Sequence, residues 1–158
     1  MGEKGREIVT LDLQELIDNL TQGYADEWMA HYYWMLAAHL VSGPHAPQLA
    51  EILKEQSGGE LEHANKLAER IIELGGEPPR HFSELTEKAR IPPLQMPETT
   101  SDVRALIHGV LELERYAIGY YHSLSEKTRH HDTVTHELME EILADEVKEE
   151  ENWENLLD

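Results

Sequence analysis

Apolar side chains recur every three to four residues through four long stretches of the chain, the spacing that lines one face of an α-helix. The first predicted helix runs from about Thr10 to Val41 and carries Leu13, Leu16, Leu20, Tyr24, His31, Trp34 and Ala38 along one line. The second, from about Gln48 to Leu74, carries Leu49, Leu53, Gln56, Ala64, Leu67, Ile71 and Leu74. A capping cluster at Thr99 to Asp102 opens the third, with Val103, Leu106, Val110, Ala117, Tyr121 and Leu124 on its stripe. The last follows Asp132 and carries Leu138, Ile142, Trp153 and Leu156. No stretch alternates as a half-buried strand would, so the fold class is all-α.

The prolines set the connections. Pro44 and Pro47 fall in one short break, and Pro78, Pro79, Pro92, Pro93 and Pro97 in a longer stretch that opens with Gly75 and Gly76. A link as short as Ser42 to Pro47 makes the first two helices antiparallel neighbours, and Lys127 to Asp132 does the same for the last two. The stretch from 75 to 100 is long enough to cross the bundle, with a short helix expected at Ser83 to Ala89. The result is one domain over residues 1–158, a four-helix bundle with one long crossover between helices 2 and 3, preceded by a polar tail at 1–10.

Each apolar stripe is interrupted near its middle by acid. Glu27 lies between Tyr24 and His31, Glu60 and His63 between Gln56 and Leu67, Glu114 between Val110 and Ala117, and Glu146 and Glu149 between Ile142 and Trp153. Glu112 shares a face with His108 and Tyr116 instead, so Glu114 is the inward candidate. With the antiparallel order applied, all four helices point a carboxylate at the core at a similar depth. A buried ionised carboxylate is costly unless it is paired or bound to metal, and no Lys or Arg lies on these stripes.

Charge and composition narrow the partner. Lys and Arg total 13 against 32 Asp and Glu, a net charge of −19, which argues against a nucleic-acid backbone or an anionic membrane surface and for cations. Cysteine is absent, so disulfides and thiolate metal sites are excluded. Met1 to Thr10 has no apolar signal core and no apolar run is long enough to span a bilayer, which makes the cytoplasm the expected location. Carboxylate oxygens with one imidazole suit iron, with Mn or Zn as possible substitutes, and two divalent ions would nearly neutralise the cluster.

Glu27, then Glu60 and His63, then Glu114, then Glu146 resembles the ferroxidase-centre pattern of the ferritin-like superfamily, most of all bacterioferritins and Dps-like mini-ferritins with a bacterioferritin-type site. The resemblance spans about Leu13 to Leu157 and includes Ile142 to Glu146. It implies a ferritin-like bundle in which Glu27 and Glu114 are terminal ligands, Glu60 and Glu146 bridge two irons, and His63 supplies a nitrogen. Glu149 stands where the pattern has a second His, and His31, one turn from Glu27, is a candidate replacement nitrogen. Leu61 stands where haem-binding bacterioferritins carry Met, so no haem is expected. The Cys pair of some Dps-like proteins is missing, and so is the fifth short helix of the larger cages, which implies a Dps-sized homo-oligomer of twelve subunits.

Helix one supports assembly independently. Trp28, Met29, Tyr32, Tyr33, Trp34, Met35, Leu36 and Leu40 make it apolar nearly all round, so its outer side needs cover from a symmetry mate or from the crossover. The function expected is an iron-storing mini-ferritin that oxidises Fe(II) with O2 or H2O2 at an intrasubunit di-iron centre. The alternatives are a rubrerythrin-like di-iron oxidase or peroxidase without storage, and a helical interaction protein whose carboxylates are structural. Lys4 and Arg6 sit beside Glu3 and Glu7, so the amino terminus offers no basic tail for DNA.

Overall fold

Aspartate side chains open three of the four long helices in the computed structural model, which describes residues 2–157. The helices are α1 (Glu3–Glu7), α2 (Leu13–Leu40), α3 (Ala46–Glu73), α4 (Phe82–Lys88), α5 (Val103–Thr128) and α6 (Thr133–Asn155), with no strand among the described residues. Asp12 accepts from the Glu15 amide at 2.8 Å, Asp102 from that of Ala105 at 3.0 Å and Asp132 from that of Thr135 at 3.2 Å. Each bond satisfies a donor that the first turn of a helix leaves free. The Asp12 cap is why α2 starts at Leu13 rather than Thr10. Pro47, expected in the break, lies in the first turn of α3, where a missing N–H costs nothing. Part of the expected polar tail winds into α1.

Gly75 ends α3. With φ +90° it adopts the left-handed conformation that glycine tolerates, and the amides of Gly75 and Gly76 close back onto the carbonyls of Ile72 and Ile71. The chain then crosses the bundle, and α4 packs against α2 on the way. Asp26 of α2 pins the strap, accepting from the backbone amides of Arg90 at 2.5 Å and Ile91 at 2.7 Å. The hairpins α2–α3 and α5–α6 pack antiparallel and α3 meets α6, so the crossover topology is the one expected.

Two apolar clusters fill the interior. One holds Trp34, Ala37, Leu53, Leu106, Val110 and Trp153, and the other Leu16, Leu20, Leu67, Ile71, Tyr121 and Ile142. On every long helix the acidic residues fall between the two. A fully buried Leu or Ile contributes about 1.5–3 kcal/mol, so two such plugs can hold a polar layer that stabilises nothing by itself.

One buried cation escaped the sequence reading. Arg70 is 5% exposed; its Nη2 donates to both carboxylate oxygens of Asp132, at 2.8 and 3.0 Å, its Nε donates to Thr135 and its Nη1 to Glu73 at 2.8 Å. Its charge is thus used at the α3–α6 end, not on the glutamates of the central layer. On the outer side of α2, Trp28 meets Phe82 of α4 edge to face at 6.3 Å, so the crossover covers that part. Tyr32 and Leu40 stay 52% and 44% exposed.

Candidate metal centre

Glu27, Glu60, His63, Glu114 and Glu146 are all buried, at 1–3% exposure, and Glu149 is half-buried. Four helices deliver them to one level because each lies three or four residues from an apolar anchor of its own stripe. They form two groups, Glu27 with Glu60, His63 and Glu146, and Glu114 with Glu146 and Glu149, and within each the nearest ligand atoms lie inside 4.8 Å. Glu146 belongs to both groups, whereas Glu60 joins only the first. His63 Nδ1 lies 3.2 Å from Glu146 Oε1, 3.6 Å from Glu60 Oε2 and 3.7 Å from Glu27 Oε2.

Hydrogen bonds from the surrounding stripes orient these carboxylates. Trp34 Nε1 donates to Glu60 Oε1 at 2.6 Å, and the Tyr121 hydroxyl donates to Glu27 Oε1. Gln56 Nε2 donates to Glu149 Oε2 at 3.0 Å and reaches Glu114 Oε1 at 3.4 Å. Asp145 Oδ2 lies 3.4 Å from His63 Nε2, the outer nitrogen of the ring. A void of about 10 Å³, room for about one water, is lined by Glu27, Glu60, Glu114 and Glu146. A wider groove of about 680 Å³ between α3 and α6 leads to His63 and Glu149 past Gly58 and Gly59.

Burial sets the protonation of the cluster. It pushes Glu60 up to about 8, with the Glu27 charge adding to the effect, and Glu149 up to about 8, with Glu60 adding. Glu146 rises to about 7 and Glu114 well above the ordinary range, both from burial first and from neighbouring glutamates second. Burial disfavours a charged His63, but Glu146, Glu27 and Glu60 outweigh it and hold the ring protonated. Even so, the cluster is incompletely satisfied. His63 Nδ1 and Glu146 Oε1 are buried without a hydrogen-bond partner, their mutual 3.2 Å approach being misdirected for a hydrogen bond. Convergent acceptors, an unpartnered imidazole nitrogen and no lysine or arginine among them are the chemistry of a cation site.

All six candidate residues therefore meet, and Glu112 lies exposed outside the cluster. His31 is not among them: its Nδ1 is engaged by Ser57, 2.7 Å from the hydroxyl and 2.9 Å from the carbonyl. Gln56, Trp34, Tyr121 and Trp153 stood on the stripes as core residues, yet the structure uses their polar ends. The signal was spacing, since Gln56 precedes Glu60 by four residues and Trp153 follows Glu149 by four.

A match to the family described as the ferritin-like domain covers residues 17–158. The chain belongs to the ferritin-like family. Over 99% of its length it is 29% identical to the DNA protection during starvation protein of Pyrococcus furiosus, 86% of which is matched. Among solved structures it is similar to a dodecameric thioferritin, the bacterioferritin-related protein of Bacteroides fragilis, with TM-score 0.90 and 29% identity over 99% of this chain and 93% of that one. A ferritin-like di-iron-carboxylate protein of Bacillus anthracis gives TM-score 0.74 and 27% identity over 94% and 99% of the two chains.

Proposed function

We propose that this ferritin-like protein is a mini-ferritin that oxidises Fe(II) within each subunit and stores the ferric product inside a shell of its own copies. The observation that carries this reading is the layer of four buried glutamates, half-buried Glu149 and one buried histidine, with an orphaned His63 Nδ1 and Glu146 Oε1 at its centre. Glu27, Glu60, His63 and Glu146 hold one iron in this reading, and Glu114, Glu146 and Glu149 the other. The oxygen-rich donor set favours iron, and manganese or zinc suits it as a substitute. Residues 1–158 act as a single ferritin-like domain, with no haem, nucleic acid or membrane called on.

Fe(II) enters as substrate through the acidic groove between α3 and α6. Its approach to the raised carboxyls drives their protons out, because a deprotonated ligand is what a cation binds. Asp145 faces the outer nitrogen of His63 and orients the ring, which leaves Nδ1 directed at the glutamates. Trp34 and Tyr121 fix Glu60 and Glu27, and the two apolar clusters exclude bulk water on both sides. Two Fe(II) held here would supply one electron each, which with two protons would reduce O2 to H2O2 or H2O2 to two waters, and the second course would remove peroxide and make the protein protective.

Storage needs an enclosed volume that one bundle cannot supply. The Bacteroides fragilis relative is a dodecamer, and exposed Tyr32 and Leu40 on α2 are suited to burial between copies, so a twelve-subunit cytoplasmic shell is proposed. No described helix is long and apolar enough to cross a membrane. Aerobic Fe(II) loading of the metal-free protein, followed by gel filtration with iron counting, tests the reading. Tens of irons per subunit in a large particle are expected. About two per subunit in a dimer would instead make it a di-iron enzyme of the rubrerythrin type, and no retained iron would refute both.

A further inference from the structure

Gln56 ties together the two carboxylates of the second group. It is 8% exposed on α3 and uses both ends of its amide. The nitrogen donates to Glu149 Oε2 at 3.0 Å and Glu114 Oε1 at 3.4 Å, while the oxygen accepts from Trp153 Nε1 at 2.7 Å. An amide can present its oxygen instead by turning over, and that oxygen would be a metal ligand. Trp153 forbids the turn. An indole nitrogen can only donate, so a reversed Gln56 would set N–H against N–H in a buried place and leave both unbonded.

The indole thus holds the positive end of the amide dipole on Glu114 and Glu149, where it does part of the work of a cation. An ion that takes Glu149 Oε2 or Glu114 Oε1 must break these bonds, and Gln56 cannot reward it by becoming a ligand. In the first group the side chain that faces several carboxylates is His63, which, unlike Gln56, is itself one of the ligands. Trp34 and Tyr121 each hold one oxygen of one carboxylate, Oε1 of Glu60 and Oε1 of Glu27, whereas the oxygens nearest His63 Nδ1 are the Oε2 atoms. Gln56, Glu149 and Trp153 also line the open groove, so the lock sits on the path to the second position.

We propose that Gln56, locked by Trp153, is a positioning residue that makes the Glu114–Glu146–Glu149 position the weaker of two, so that the Glu27–Glu60–His63–Glu146 position fills first. This assignment rests on the two-metal reading above. Zn(II), which undergoes no redox reaction, separates binding from oxidation in calorimetric titrations of the metal-free protein. The wild type is expected to show two classes of one Zn(II) per subunit, differing tenfold or more in affinity. Trp153→Phe frees the amide to turn, and Gln56→Ala removes it. Each is expected to tighten the second class on the order of tenfold to hundredfold, the worth of hydrogen bonds to a charged group, while the first class stays within about twofold.

A purely structural role would weaken both classes together, and Gln56→Ala keeps the question open if Trp153→Phe does not fold. Two equal classes in the wild type, or an affinity ratio unmoved in the folded variants, would overturn the assignment and leave the two-metal reading standing. Wild-type protein that takes up no Zn(II) would overturn both.

Discussion

Replacing Glu60 with Gln should stabilise the metal-free protein. Glu60 is pushed up to about 8 in the fold from an ordinary 4.5, by burial first and the Glu27 charge second. A carboxyl whose pKa is raised on folding costs nothing below its unfolded pKa; the cost grows as pH climbs toward the folded value and is constant above it. At about 1.4 kcal/mol per pH unit, the interval from 4.5 to neutral pH makes that cost roughly 3 kcal/mol. Glu146 and Glu149 titrate together with Glu60, so removing one member recovers about 2 kcal/mol of it. Gln keeps the oxygen that accepts from Trp34 Nε1 and never ionises.

The assay is calorimetric melting of chelator-treated wild type and Glu60→Gln at pH 5, 7 and 8.5, with and without Zn(II). For a chain of this size 2 kcal/mol corresponds to about 4–8 °C. The variant is expected to melt higher than wild type at pH 7 and 8.5 and nearly level with it at pH 5. With Zn(II) the order should reverse, because only wild type gains the full binding energy. A metal-free variant that melts below wild type at pH 8.5, or a gap independent of pH, would refute the claim that this layer is held for a cation at the expense of stability.

Zn(II) binding should release protons, more per ion at pH 6 than at pH 9, and apparent affinity should rise across that range; titrations in buffers of different ionisation enthalpy measure both, and pH-independent affinity would contradict the raised Glu60, Glu146 and Glu149. Arg70→Ala strands buried Asp132 and should cost about 3–5 kcal/mol in denaturant unfolding while leaving the Zn(II) stoichiometry of the folded fraction unchanged. Asp132 lies below its ordinary 3.8, its bonds to Thr135 and Arg70 overcoming burial, so its contribution is complete above about pH 4 and is lost as pH falls further, which acid titration of Asp132→Asn against wild type will show as a vanishing difference. Tyr32→Glu should lower the particle mass by light scattering, and an unchanged mass would place the subunit contacts elsewhere.

The topology was legible because every proline falls at a helix start or between helices and Gly75 ends α3, and the acidic layer because its members break an otherwise apolar period at one depth. The supporting bonds were less so. Trp34, Tyr121 and Trp153 satisfy the same periodicity whether they serve as bulk or as donors, and only the facing helix decides which. Arg70 hid for a related reason: it lies beside Ile71 on α3, and its partner Asp132 reads from sequence as a helix cap, a role it also performs through Thr135. Asp26 gave no sign that it holds the crossover, since its partners are backbone amides 64 and 65 residues away.

What joins these features is a division of labour along the bundle axis. Arg70 and Asp132 form a closed polar unit at one end, with opposite charges matched and hydrogen bonds complete. The central layer is as buried except at Glu149, but it has only one basic group, His63, against five glutamates, and it leaves two buried atoms unpartnered. A fold able to complete one such network has the means to complete another, for instance with a single arginine facing Glu114. That the centre lacks one, while apolar clusters are buried on both sides, makes the layer suited to take its missing charge from a bound cation. The proposed Gln56–Trp153 lock follows the same division: at one position the carboxylates face an amide held from becoming a ligand, at the other they face His63, which is one, and on that proposal the second position is the weaker.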